Sequence, residues 1–344
     1  MRYAVRNPAL WWMPKAVSPC QQTNNVRALA AFRTRQFSST STYASKLHLR
    51  DPFLENLEPL IEGRYSALRD TYLKPKHPIV LAHGLLGFDE LRLGGKYLPP
   101  IQYWRGIKKA FSQQGIDVIT VPVLPLGSIE QRAKALSSGI EAQIQGEAVN
   151  IIACSDSGIR GLDSRYMISK LRSMRFRVLS LTTISTPHRG SAFADYVFGQ
   201  LGEKRVTVIY SVLARLNIES GAFMQLTRKY MQEEFNPNIP DCDDVRYFSY
   251  GASLTPSIWS LFRQSHRIIE QEEGPNDGLV SVRSSKWGGQ GGYKGTLIDV
   301  SHFDLINWTN RFQWLVSDLS GDRRKFNALA LYLDIADMLA KQGL

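Results

Sequence analysis

No acidic residue occurs among the first 50 positions of this 344-residue chain. That stretch holds eight basic side chains: Arg2, Arg6, Lys15, Arg27, Arg33, Arg35, Lys46 and Arg50. The whole chain carries 42 Lys+Arg against 31 Asp+Glu, a formal charge of +11, which leaves 34 basic and 31 acidic groups beyond position 50. The positive excess is therefore an N-terminal property. A nucleic-acid-binding fold would spread basic charge over a folded face, so that class is disfavoured. Cysteine is scarce: Cys20, Cys154 and Cys242 allow at most one disulfide and lack metal-ligand spacing. No apolar run reaches ~18 residues, so no transmembrane helix is expected. No internal repeat recurs, which argues against a solenoid or propeller.

What is present begins with a composition contrast. Residues 1–45 are rich in Arg, Ser, Thr and Ala, the composition of a mitochondrial transit peptide. Within them Val26 to Phe37 sets Leu29, Ala30 and Phe32 against Arg27, Arg33 and Arg35, a basic amphipathic helix that a membrane potential would draw inward. Arg35-Gln36-Phe37-Ser38-Ser39 fits a presequence cleavage site. The expected organisation is a disordered targeting segment over 1–45 and one folded domain over 46–344, with mitochondrial localisation. At 43% apolar and 10% aromatic the chain can bury a large core.

Short apolar, β-branched runs recur at Pro78–Ala82, Val118–Val123, Val149–Ala153, Val178–Ile184, Arg246–Tyr250 and Thr296–Val300. Helix-like stretches lie between them, including Tyr103–Gln114, Ser128–Ile144 and Leu162–Arg172, and a final one spans Asn327–Gln342. Continuous apolar strands separated by helices predict an α/β fold with a mostly parallel sheet covered on both faces. Val206 to Met231 has amphipathic helical spacing, which suits either a surface helix pair or a lid over an apolar pocket.

Four places carry chemistry. His83-Gly84-Leu85-Leu86-Gly87 follows the first strand and would turn backbone N–H groups, that of Leu85 among them, toward open space, as an oxyanion hole requires. Ala153-Cys154-Ser155-Asp156-Ser157-Gly158 follows the strand Val149–Ala153, where a nucleophile elbow belongs. The elbow needs small residues two before and two after its nucleophile. Ser155 has Ala153 and Ser157 there, whereas Ser157 has the β-branched Ile159, so sterics favour Ser155. Asn276-Asp277-Gly278 is first of all a turn signal. Ser301-His302-Phe303-Asp304 follows the last strand, and position singles out His302 among six histidines. The order Ser, Asp, His is that of an α/β-hydrolase triad.

Seven stretches carry a family resemblance: HPIVLAHGLLGFDEL (77–91), QYWRGI (102–107), VNIIACS (149–155), GLDSRYMIS (161–169), TTISTPHRGSAFAD (182–195), NDGLVS (276–281) and SHFDLINW (301–308). In them the chain resembles the lipases of the α/β-hydrolase fold, specifically the fungal mitochondrial triacylglycerol lipase type related to bacterial true lipases. The resemblance implies an α/β-hydrolase fold with a helical lid at about 200–240 and hydrolysis of lipid esters such as acylglycerols at a lipid surface. It implies a triad of Ser155, Asp277 and His302, oxyanion donors at Leu85 and Asp156, and a site lined by His83, Gly84 and His188. The family reads Ala-His-Ser-Met-Gly-Gly-Leu-Asp-Ser-Arg at the elbow. Here three extra residues stand between Ala153 and Gly161-Leu162-Asp163-Ser164-Arg165. Counted from the strand, the nucleophile is Ser155. Counted back from the helix, its place falls on Gly158, which describes a catalytically impaired α/β hydrolase that binds lipid or a partner. Bacterial members bind a structural calcium. Asp304 matches one ligand, but no Asp lies between 245 and 276 to match the other, so neither metal nor cofactor is expected and Asp304 is expected to hydrogen-bond locally.

Overall fold

The central strands of the chain bury most of their side chains, and their neighbours explain why. The computed structural model describes residues 59–82, 90–91, 101–102, 106–121, 127–144, 146–154, 160–173, 175–199, 224–257, 260, 262–307 and 326–344. The chain divides into two units, Met1–Lys46 and Leu47–Leu344. The targeting helix and cleavage site expected in the first lie outside the described residues.

Seven strands form one sheet: β1 (Leu60–Ile61), β2 (Ile79–Ala82), β5 (Val118–Val121), β6 (Ala148–Cys154), β7 (Arg177–Ile184), β8 (Arg246–Ser253) and β9 (Tyr293–Ile298). Its order is β1-β9-β8-β7-β6-β2-β5, and every pairing is parallel. A separate antiparallel pair joins β3 (Glu90–Leu91) and β4 (Ile101–Gln102). Parallel strands need covered crossovers, and the period of two sorts their side chains between two cores. Ile79 and Leu81 of β2 pack with Ile107 and Phe111 of α1 (Ile107–Gln113) and with Leu331 and Ile335 of the C-terminal helix. Val80 and Ala82 point the other way, to Ala133, Leu136 and Ile140 of α2 (Ile129–Glu141). This is the expected α/β fold.

Local chemistry sets the helix ends. A Ser128–Gln131 capping box starts α2. α3 begins at Arg160, two residues before the expected start, and widens into a π-helical stretch, Met167–Leu171, before Arg172 (φ 37) ends it. Four shorter helical elements follow: α4 (Ala192–Gly199), an irregular α5 from Arg228 to Asn238, α6 (Arg263–Glu273) and α7 (Val282–Ser285). A one-turn α8 (His302–Leu305) precedes α9 (Ala328–Lys341). The last strand runs three residues ahead of its expected start, and Asp299, with φ 59, follows its end. The two-residue edge strand β1 was too short to stand out in the pattern. Of the 200–240 segment, 224–240 is described. Leu226, Met231, Phe235 and Ile239 there are buried against Ile129, Leu162 and Ala194, so this part is packed into the body. Residues 200–223 lie outside the described residues.

Candidate active site

In the sheet the carboxyl ends of adjacent strands line up in register, with Ala82 of β2 beside Ala153 of β6 and Cys154 of β6 beside Ile184 of β7. The chain visits β2, β5 and then β6 on the other side of β2, so its winding reverses between β2 and β6. Open α/β sheets bind ligands outside the carboxyl ends at such a reversal. The described strands end there immediately before His83-Gly84-Leu85 on one side and Ser155-Asp156 on the other. Those five residues lie outside the described residues.

Asp277 and His302, expected as acid and base, are described, and the fold brings them together from 25 positions apart. His302 Nδ1 donates to Asp277 Oδ2 at 2.6 Å, and both side chains are fully buried. The His302 backbone N–H also donates to the Asp277 carbonyl at 3.0 Å. A capping box brackets the histidine: Asp304 accepts from the Ser301 N–H at 2.9 Å, and the Ser301 hydroxyl accepts from the Asp304 N–H at 3.3 Å. Asp304 therefore does bond locally, and it fixes the turn that carries His302.

A second device holds Asp277. Its Oδ1 accepts from the N–H groups of Leu279 (3.0 Å) and Val280 (2.8 Å), which leaves Oδ2 for the imidazole. Asn276 pairs with Ser281 across the loop and donates its amide to the carbonyls of His266 and Gly274. Gly278, at φ 103, is required: a Cβ there would stand 2.6 Å from Phe262. Glu273 accepts from the Ala192 N–H at 2.6 Å and from the Ser281 hydroxyl, and burial raises its carboxyl above the usual range. The turn signal read at 276–278 is thus both a turn and the support of the Asp277 carboxylate that meets His302.

His188, expected to line the site, is fully buried. Its ring stacks on Trp287 with centroids 5.0 Å apart, and its Nε2 lies 2.9 Å from Thr183 Oγ1. Its backbone N–H donates to Ser284, so it braces α7, which follows the Asp277 loop. Burial, with the Arg165 and Arg189 charges adding to it, holds its pKa well below the ordinary histidine range, so the ring is neutral. Arg165, over the Trp287 ring at 3.8 Å, is itself pushed down to about 10 by burial.

Sequence reading missed a buried ionic node between α2 and α3. Arg132 of α2 grips Asp163 of α3 through Nε (2.9 Å to Oδ2) and Nη2 (2.8 Å to Oδ1), and Arg160 adds Nη1 at 3.2 Å. A signal was there: Arg132 falls on the stripe Ile129, Ala133, Leu136, Ile140, a charge on an apolar helix face. No group of His, Cys, Asp and Glu suited to hold a metal ion occurs among the described residues. Among them, too, no helix is long and apolar enough to cross a membrane, and no disulfide joins Cys154 to Cys242.

A parallel sheet with a buried Asp–His pair at its carboxyl edge is the arrangement of an α/β hydrolase. Comparison with known proteins narrows this. The chain is 38% identical over 324 residues to triacylglycerol lipase 2 of Saccharomyces cerevisiae, covering 80% of this chain and 94% of that protein. It is 27% identical over 329 residues to the triacylglycerol lipase of Pseudomonas fragi, covering 80% of this chain and all of the other. The solved lipase of Staphylococcus hyicus superposes with a TM-score of 0.58 at 17% identity, covering 80% of this chain and 98% of that one. Lipase 1 of Pelosinus fermentans gives 0.53 at 19% identity, covering 78% and 99%. No protein-family model matches the chain. The chain belongs to the lipase family of the α/β hydrolases.

Proposed function

We propose that this chain is a serine carboxylester hydrolase acting on acylglycerols, with Ser155 as nucleophile. The single observation that carries the reading is the buried Asp277–His302 pair at the sheet edge where β6 ends, one residue before Ser155. Asp277 holds Nδ1–H, so proton transfer falls to His302 Nε2. Ser155 Oγ bonds to the ester carbonyl carbon while its proton passes to Nε2. The tetrahedral adduct then collapses, the carbon–oxygen bond to the alcohol breaks, and the alcohol leaves with that proton. Water repeats the sequence on the acyl-enzyme and releases the carboxylic acid. Backbone N–H groups of Leu85 and Asp156 receive the oxyanion, where one donor is worth about 3–4 kcal/mol. The segment 224–231 is packed into the body, so the lid that opens at a lipid surface is assigned to the amphipathic stretch 205–223 alone, and residues 1–45 direct the protein to mitochondria.

Fluorophosphonate labelling of the purified chain tests the nucleophile. Label should appear in the wild type and in Ser157→Ala, and vanish in Ser155→Ala and His302→Ala. Label lost only in Ser157→Ala would move the nucleophile two residues on.

One observation favours a second reading, a catalytically impaired hydrolase that binds lipid or a partner. The helix side of the elbow is anchored, because Gly161 abuts Thr186 and Asp163 is held by Arg132 and Arg160. The three extra residues must therefore be absorbed before Arg160. A well-folded sample without labelling or esterase activity would establish this reading over the first.

A further inference from the structure

The acid and base follow the carboxyl ends of β8 and β9. The same two strands also border a different feature. A cavity of about 340 Å³ is lined by Tyr250 of β8, Lys294 of β9, Ile61 and Arg64 near β1, Tyr65, and Met338 of α9. Lys294 is the second residue of its strand, and Arg246, the first of β8, bonds Gln342 of the same cavity wall. Neither Asp277 nor His302 lines this cavity, which lies on the sheet face that α9 covers.

Three facts describe what it would hold. First, its two carboxylates are already satisfied. Asp334 accepts from Tyr65 (3.0 Å), Arg64 (3.2 Å) and Arg69 (2.7 Å), and Asp337 accepts from Arg69 (3.1 Å), Lys341 (2.8 Å) and the Leu73 N–H (2.9 Å). Second, two donors are not. The Tyr250 side chain is buried, with 3% of the residue exposed, and its hydroxyl has no hydrogen-bond partner among the described residues. Lys294 Nζ meets only the Gly291 carbonyl (3.0 Å) and the Phe248 ring (4.7 Å), with no carboxylate in ion-pairing reach among the described residues. Its partial burial without a counter-charge lowers its pKa. Third, Ile61, Met338 and the tyrosine rings supply apolar wall beside these donors.

We infer that this cavity is a second binding site, for a monoanionic carboxylate bearing a short apolar chain, with Lys294 and Tyr250 holding the carboxylate. An ammonium and a phenol without acceptors call for an oxyanion. Asp334 and Asp337 on the same wall disfavour a dianion such as phosphate. The volume sits at the low end of small-molecule sites, roughly 300–1,000 Å³, which limits the chain to a short one. The site is independent of the ester-hydrolysis reading, because neither Asp277 nor His302 lines it.

The test is calorimetric titration of the full chain with sodium octanoate, with inorganic phosphate and octanol as comparison ligands. Octanoate should bind saturably. Lys294→Met should weaken it at least about tenfold, the size of one charge-assisted hydrogen bond, and Tyr250→Phe should weaken it less. Lys294→Arg keeps the charge and should keep binding, which separates loss of the ligand contact from loss of fold. Because neither Asp277 nor His302 lines the cavity, a loss that follows Lys294 and Tyr250 assigns the bound octanoate to it and not to the ester-hydrolysis site. Octanoate affinity equal in the wild type and both Lys294→Met and Tyr250→Phe would overturn the assignment. Equal competition by phosphate or by octanol would overturn the ligand class.

Discussion

Replacing Asp163 by Ala tests what holds the helix behind the elbow. Asp163 is fully buried, and the two arginines that grip it are 1% (Arg132) and 3% (Arg160) exposed. The substitution removes four charge-assisted contacts of 2.8, 2.9, 3.1 and 3.2 Å and leaves the buried Arg132 guanidinium without its carboxylate. Removing one partner of a buried pair costs about 3–5 kcal/mol, mostly from the uncompensated charge left behind. With the Arg132 charge left uncompensated, a loss within that range is expected, about 3–5 kcal/mol. Against a typical domain stability of about 5–15 kcal/mol this is most of the margin for a protein at the low end. Urea unfolding followed by tryptophan fluorescence reads it as a lower midpoint. Arg132 also donates Nη1 to the Gly127 carbonyl, so its own removal orphans a second group. The informative companion is therefore the triple variant Arg132→Met, Arg160→Met, Asp163→Leu. An apolar node of similar volume should recover most of the loss, because no buried charge remains. A loss below about 1 kcal/mol for Asp163→Ala, the size of an exposed pair, would mean that water reaches the node, and the reasoning from burial would fail.

Three further outcomes are expected. Asp277→Asn should keep the loop but present the wrong hydrogen-bond partner to His302, lowering kcat about 10⁴-fold in a chromogenic ester assay, while the unfolding midpoint moves little. Gly161→Ala places a Cβ 2.6 Å from Thr186 Cγ2 and should destabilise by about 1–3 kcal/mol; adding Thr186→Ala should return much of it, measured by the same urea titration. At low pH, Asp337 supplies a signed effect. Burial opposes its ionisation, but Lys341, the Leu73 N–H and Arg69 bring its pKa down to about 2. A folded pKa below the unfolded value of about 3.9 means stability present above that value and lost as pH falls through about 2. Asp337→Asn should flatten the wild-type stability curve between those pH values, and an unchanged slope would contradict the assignment.

The fold class was legible because burial on both faces writes itself as continuous apolar runs: β2, β6 and β7 were found within two residues of their expected ends. Asp277 and His302 were legible for a different reason. A turn signal and a strand-end position mark them locally, and their order along the chain follows from the fold. His188 shows the limit of this reasoning. Its loop was expected at the site, but whether the ring faces a substrate or a Trp287 stack depends on residues about a hundred positions away. The same holds for the Arg132–Asp163–Arg160 node and for the cavity between β8, β9 and α9. Each combines residues from distant parts of the chain, and a sequence states charge and spacing but not which partner removes a group from water. Composition, strand periodicity and motif order were thus settled by the chain itself. The pairing of Asp277 with His302, the neutralisation of buried charges and the donors left without acceptors were decided only when the parallel crossovers brought those segments together.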